Sequence, residues 1–128
     1  VIDDKKTDDQ ILANLIAEEE IYQQTMADTQ IIASYEVYIQ QTIVKNWRRS
    51  PSARNSMVVE IEINLLPTGE VNSVYVVKTS GDTTFDRNAV NAVYRVGRFV
   101  ELQKLEPRLF DAKFRRFILR FRPEDLRL

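Results

Sequence analysis

Residues 57–79 read MVVEIEINLLPTGEVNSVYVVKT, and this stretch determines the fold class. Its first half alternates, because polar or acidic residues separate the apolar Val59, Ile61, Ile63 and Leu65. Successive side chains of a strand point to opposite faces, so the alternation predicts a half-buried β-strand over residues 57–66. Pro67 and Gly69 then suit a type I turn. A second strand over residues 71–79 is therefore predicted to return antiparallel to the first.

The chain before this hairpin has the period of a helix. Thr7, followed by Gln10, predicts a capping box that opens a first helix. The apolar stripe of this helix consists of Ile11, Leu15, Tyr22 and Met26. After a predicted break at Asp28 and Thr29, a second amphipathic helix carries Ile32, Tyr35, Ile39, Ile43 and Trp47. This helix is predicted to end within residues 48–51, because Pro51 disfavours helical structure at the residue before it.

The chain after the hairpin is predicted to form a helix and a third strand. A turn at Ser80-Gly81-Asp82 leads to a helix. Thr83 and Asp86 predict a capping-box-like start for this helix, and Gly97 is its predicted C′ residue. Residues 98–105 are predicted to be irregular, and Pro107 to open a short helical turn through Phe114. The last strand, residues 116–122, alternates between two faces and stops at Pro123. One face carries Phe117, Leu119 and Phe121; the other carries Arg116, Ile118, Arg120 and Arg122.

Charge predicts the order of the strands. Glu60 and Glu62 lie on the open face of the first strand, and they would match Arg116, Arg120 or Arg122 if the first and third strands were neighbours. The predicted fold is therefore α+β, with a three-stranded antiparallel or mixed sheet in the order 2-1-3. Helices cover one face of this sheet, and an extra helix precedes the domain. The predicted core contains Ile39, Ile43, Trp47, Ile61, Ile63, Phe85, Val93, Leu119 and Phe121.

Composition excludes several classes of function. The 128 residues fit one domain and include no Cys and no His, which excludes disulfides, thiolate or imidazole catalysis and the usual zinc sites. Three glycines cannot build a glycine-rich phosphate loop. Asp3, Asp4, Asp8 and Asp9 lie at a predicted helix start, where favourable interaction with the helix dipole explains them better than a cation site. No enzyme activity and no cofactor are expected.

Charge is distributed unevenly along the chain. Residues 1–46 carry 3 Lys and 9 acidic residues, whereas the rest carries 15 Lys or Arg and 10 acidic residues. A phosphate-contacting surface could consist of Arg48, Arg49, Arg54, Arg115, Arg116, Arg120 and Arg122. An RNA-reading sheet, however, needs exposed aromatic residues, and the phenylalanines of the third strand are assigned to the core. Nucleic-acid binding is therefore not expected.

An edge strand rich in arginine has two interpretations that the residues alone leave open. The charges can deter aggregation, or they can flank an edge to which a partner adds an extended segment by main-chain hydrogen bonding. The chain begins at Val1 without a Met, which is the basis for expecting a fragment of a longer protein.

From Tyr35 onward the chain resembles the TolA C-terminal domain family, within the wider TonB/TolA C-terminal fold. The motifs that carry the resemblance are Trp47-Arg48-Arg49, Ser50-Pro51-Ser52-Ala53-Arg54-Asn55, Leu66-Pro67-Thr68-Gly69-Glu70-Val71, Ser80-Gly81-Asp82, Phe85-Asp86, Ala89-Val90, Ala92-Val93 and Phe121-Arg122-Pro123. The chain departs from some TolA domains in lacking their cysteine pair. Residues 1–30 match no family and are interpreted as the end of a long helical linker, with the domain spanning residues 31–128.

The resemblance implies a periplasmic, monomeric domain of the Tol–Pal cell-envelope system, soluble in itself, in a protein anchored in the inner membrane. Its implied partners are TolB and other Tol–Pal components, with colicins and filamentous phage coat protein using it as a receptor. The related TonB binds an extended segment by strand addition. The predicted partner site is therefore Arg116, Phe117, Ile118, Leu119, Arg120, Phe121 and Arg122. The alternatives are docking on strand 2, around Val74 to Val77, and a TonB-type energy transducer for outer-membrane transport.

Overall fold

The computed structural model describes residues 4–47 and 57–123, with side chains from residue 8 onward. The elements in chain order are α1 Asp4–Lys45, β1 Val59–Leu65, β2 Val71–Lys78, α2 Thr83–Val96, a 3-10 helix Val100–Lys104, α3 Pro107–Lys113 and β3 Arg116–Phe121. The strands form one sheet in the order β2-β1-β3, and both pairings are antiparallel. The predicted α+β fold and strand order are confirmed.

The first helix differs from its prediction. α1 is continuous over 42 residues, so the predicted break at Asp28 and Thr29 is wrong. Neither residue is Gly or Pro, and both fit a helix: Thr29 Oγ1 donates to the Thr25 carbonyl at 2.8 Å, and Gln24 Nε2 donates to Asp28 at 2.9 Å. Thr7 is not the N-cap because α1 already includes Asp4. α1 ends at Lys45, whereas the predicted stop at residues 48–51 lies outside the described residues.

The chain divides into two compact units between Ser34 and Tyr35. In the described part of the first unit, α1 exposes most of its large apolar side chains, and Ile32 is half-buried. The exposed ones are Ile11, Leu12, Leu15, Ile16, Ile21, Tyr22, Met26 and Ile31. None of the described helices has the length and apolar character needed to span a bilayer.

The core of the second unit lies on one face of the sheet. All four alternating residues of β1 are buried there, as the sequence predicts. Of the predicted core residues, those confirmed as buried are Ile39, Ile43, Ile61, Ile63, Phe85, Val93 and Phe121. Trp47 and Leu119 are only half-buried. The Trp47 ring packs against Phe85 and Phe121, with centroid distances of 5.4 and 5.1 Å.

The segment between α2 and β3 contributes more to the core than its sequence indicated. Residues 98–105 were predicted to be irregular, but they contain the 3-10 helix and bury Phe99, Leu102 and Leu105. These residues are three apart, the period at which side chains of a 3-10 helix align. The predicted helical turn after Pro107 is confirmed as α3, which buries Leu109 and Phe110.

A network of side-chain hydrogen bonds shapes the connection from β2 to α2. Asp82, and not the predicted Thr83, is the N-cap, since its carboxylate accepts from the backbone N–H groups of Thr84 at 2.9 Å and Phe85 at 3.3 Å. The buried carboxylate of Asp86 instead accepts from the Thr79 hydroxyl and from both the N–H and the hydroxyl of Ser80. Ser80 therefore has a structural partner.

Candidate partner-binding edge

The free edge of β3 carries a row of outward-directed backbone groups. The Leu65 N–H donates to the Arg115 carbonyl at 3.0 Å, and the register continues through Ile63↔Phe117 and Ile61↔Leu119. In an antiparallel pair, hydrogen-bonded residues alternate with residues whose N–H and C=O point away from the partner strand. Arg116, Ile118 and Arg120 therefore direct these groups to the edge, and no described residue bonds to them.

The edge of β2, in contrast, is occupied along its first half. The Val71 N–H donates to the Gly97 carbonyl at 2.9 Å, beside an isolated antiparallel bridge between Glu70 and Arg98. Further along, the Val74 N–H donates to the Tyr94 hydroxyl at 3.2 Å. A register shift after Val76 then interrupts the pairing with β1. A segment added at the first half of β2 would have to displace these contacts, whereas one added at β3 would displace no backbone hydrogen bond between described residues.

Two ion pairs cross the open face of the sheet from β3 to β1. Arg116 Nε lies 2.8 Å from Glu62 Oε1, and Arg120 Nε lies 2.6 Å from Glu60 Oε1. The hydrogen bond from Arg116 holds the pKa of Glu62 below its ordinary value. These pairs are the ones that the charge pattern predicted between the first and third strands. Each arginine is thus already balanced by a carboxylate of the same sheet.

The predicted site residues differ in what they offer a partner. Ile118 is 57% exposed on the open face, between the two paired arginines. On the helix-covered face, Phe117 and Leu119 are half-buried, while Phe121 is fully buried and its side chain is unavailable. Arg122 follows β3 and is exposed. The edge therefore combines backbone donors and acceptors with three accessible apolar side chains.

An aromatic stack supports β3 from the helix-covered side. The Phe117 ring meets Phe114 edge-on at a centroid distance of 5.8 Å, and Phe114 packs against Tyr35 of α1 at 6.4 Å. Phe114 itself is buried. The side of β3 that faces the helices is therefore held in place, which favours a preformed edge over one that orders on binding.

The described residues offer little for other chemistry. Among them, no three acidic residues come close enough to hold a metal ion. Of the acidic cluster considered above, Asp8 and Asp9 are exposed on α1, and Asp3 lies outside the described residues. The residues that sequence reasoning missed are those that occupy the β2 edge. Tyr94 lies outside the apolar stripe of α2, so the periodicity of the helix gives no sign of its role.

The chain matches known proteins in sequence and in structure. A family model described as TonB C terminal matches residues 32–115. The Tol-Pal system protein TolA of Pseudomonas aeruginosa is 41% identical over 120 residues, which cover 91% of this chain and 35% of that protein. The chain thus spans about a third of the length of this relative. A solution NMR structure of TolAIII bound to a peptide from the N-terminus of TolB has a TM-score of 0.64 at 46% identity, covering 70% of this chain and 73% of that one.

Proposed function

The chain belongs to the TonB C-terminal family, and from this premise we propose that it is a protein-interaction domain of a Tol–Pal system that binds a TolB-like partner by strand addition at β3. The two similar proteins named above are both TolA, and one of them is bound to a TolB peptide. This favours the Tol–Pal role over a TonB-type energy transducer.

The observation that carries the proposal is the difference between the two sheet edges. β3 presents the N–H and C=O groups of Arg116, Ile118 and Arg120, while Gly97, Arg98 and Tyr94 occupy the start of the β2 edge. A partner segment at β3 gains main-chain hydrogen bonds without breaking any described contact. Each such bond contributes only about 1 kcal/mol net, so the affinity should be weak to moderate.

The remaining parts of the hypothesis concern the whole protein. We place the domain in the periplasm, in a protein anchored in the inner membrane, and we include receptor use by colicins and filamentous phage. These parts rest on the resemblance to TolA alone, and this chain covers only 35% of the TolA relative. A role in binding rather than catalysis agrees with the lack of His and Cys.

A titration followed by backbone amide NMR tests the docking edge. The peptide is the N-terminal segment of the TolB protein from the organism that encodes this chain, and it is added to isotope-labelled protein. We expect large shift changes along β3, Arg116–Phe121, and in the β1 residues opposite. Changes confined to β2, Val71–Lys78, would reject β3 as the docking edge. The absence of any change at saturating peptide would reject the TolB-like partner.

A further inference from the structure

We propose that the β3 edge selects a partner segment with three consecutive apolar residues, aligned with Phe117, Ile118 and Leu119, and not a segment chosen for its acidic charge. The inference rests on the proposed strand addition at β3 and adds to it the chemistry of the bound segment. It follows from the phase of β3, from the pairing of its arginines and from the exposure of its apolar side chains.

The phase of β3 determines which side chains of an added strand meet which surface. A neighbouring strand, whether parallel or antiparallel, keeps its side chains in step with those of β3. The partner residue beside Ile118 therefore lies on the open face. The residues before and after it lie on the helix-covered face, beside Phe117 and Leu119. The central part of the segment thus meets one apolar side chain after another.

The open face gives an acidic partner residue little to bind. The side chains of Glu62 and Glu60 are only 15% and 19% exposed, so the arginines lie over them. Both arginines donate through Nε to these glutamates, so their charges are already paired although their side chains are 74% and 70% exposed. The four charges cancel. Ile118, between the two ion pairs and 57% exposed, is the surface that a partner side chain can cover.

The helix-covered face favours apolar residues for a separate reason. Phe117 and Leu119 are half-buried beside Ile63 and Ile61 of β1, and Phe117 also meets Phe114, which leaves part of each side chain accessible. An apolar side chain there removes further area from water. A polar or charged side chain would lose water and find no hydrogen-bonding partner among these side chains.

Two synthetic peptides separate apolar selection from charge selection. Both have a host sequence of Ser and Thr. One carries Ile-Val-Ile at its centre, and the other keeps a Ser/Thr centre with two Glu residues placed four positions apart, so that they lie beside Arg116 and Arg120. We expect the apolar peptide to shift the amides of β3 and to bind more than about tenfold more tightly than the acidic one. Its affinity should change less than about twofold between low and high salt.

Two variants test the reasons for this preference. Ile118→Thr keeps a β-branched residue in the strand and should weaken the apolar peptide by about tenfold. Glu62→Gln leaves Arg116 without its carboxylate, and it should strengthen the acidic peptide several-fold while leaving the apolar peptide unchanged. Arg87→Gln serves as the control, because Arg87 is exposed on α2, outside the predicted partner site, and its loss should change the affinity of neither peptide.

The outcomes separate this inference from the proposed function. Tighter, salt-sensitive binding of the acidic peptide at β3 would overturn apolar selection and leave strand addition at β3 intact. Binding of the TolB peptide at β3, with neither synthetic peptide binding, would also overturn it, because an apolar centre would then be insufficient. If no peptide, including the TolB peptide, perturbs β3, the proposed function falls together with the inference.

Discussion

Gly69 closes the turn between β1 and β2 in a conformation that other residues rarely adopt. Its φ is +86°, and its N–H donates to the Leu66 carbonyl at 2.8 Å. A Cβ at this position would lie 2.3 Å from the carbonyl oxygen of Phe99, which is backbone. Gly81 also has a positive φ, +92°, but a Cβ there would meet nothing within 4 Å. The two glycines therefore separate backbone strain from steric overlap.

We expect Gly69→Ala to lower the free energy of unfolding by about 3 kcal/mol or more, since it combines left-handed strain with a backbone clash. Gly81→Ala, the matched control, should lose only about 1–2 kcal/mol from strain alone. Urea denaturation of both variants measures the difference. Equal losses would mean that the contact between Gly69 and Phe99 relaxes without cost.

Glu62 provides a prediction about pH. In the folded protein, the hydrogen bond from Arg116 holds the pKa of the Glu62 carboxyl below its ordinary value of 4.5. A lowered carboxyl pKa contributes stability that is present above the ordinary value and is lost as the pH falls through the folded value. NMR titration of the side-chain carboxyl should show the low pKa, and Arg116→Gln should raise it. An unchanged pKa in the variant would mean that the ion pair does not form in solution.

Phe121 and Trp47 test the aromatic cluster that Trp47 forms with Phe85 of α2 and Phe121 of β3. Phe121 is fully buried, so Phe121→Ala should cost about 3–5 kcal/mol of unfolding free energy. Trp47 is partly exposed and its Nε1 is buried without a described hydrogen-bond partner, so Trp47→Ala should cost less, about 3 kcal/mol. Chemical denaturation gives both values. A loss below about 1 kcal/mol for Phe121→Ala would contradict the described packing.

At the scale of a single element, two proline substitutions in β3 distinguish the backbone groups used for binding from those used for folding. Ile118→Pro removes an N–H that points to the free edge, whereas Leu119→Pro removes one that bonds to β1. We therefore expect Ile118→Pro to keep the circular dichroism spectrum and to abolish binding of the TolB peptide. Leu119→Pro should disrupt the fold. Full binding by a folded Ile118→Pro protein would show that the partner does not use this edge.

The strands were predictable because alternation is a local property of the sequence. The acids of β1 and the arginines of β3 even gave the strand order, since opposite charges on one face identify neighbours. Helix limits were less predictable. Asp28 and Thr29 favour caps in isolation, yet a helix passes through them when nothing forces it to end. The 3-10 helix within residues 98–105 was not predicted, because a 3-10 period over so few residues is hard to distinguish from irregular structure.

The candidate site was predictable only in part. The arginine-rich strand could be recognised as an edge, but the occupation of the opposite edge depends on Tyr94 and Gly97, which lie at least 20 positions from their hydrogen-bond partners Val74 and Val71. Such long-range pairs leave no pattern in a single sequence. The charge pattern predicted that arginines of the third strand pair with Glu60 and Glu62, and this pairing indicated the strand order. That the same ion pairs neutralise the arginines at the binding edge follows only from the structure.

For the whole molecule, the two compact units predict independent stability. Side chains from residue 8 to residue 27 are all exposed in α1, and the second unit starts at Tyr35. Deleting residues 1–27 should therefore leave a domain that unfolds cooperatively, with a Tm within a few degrees of the parent. Thermal denaturation measures this. A broad transition, or a chain without near-ultraviolet circular dichroism, would show that the N-terminal helix is required for folding.

The occupied edge of β2 has a consequence for assembly between copies of the protein. A domain with two open edges could join β3 of one molecule to β2 of the next, and such head-to-tail contacts repeat without limit to give a filament. The residues from Gly97 to Arg98 and the Tyr94 hydroxyl already occupy one half of that contact. These contacts oppose polymerisation by this route, because a second molecule would have to displace them before it could pair with the first half of β2.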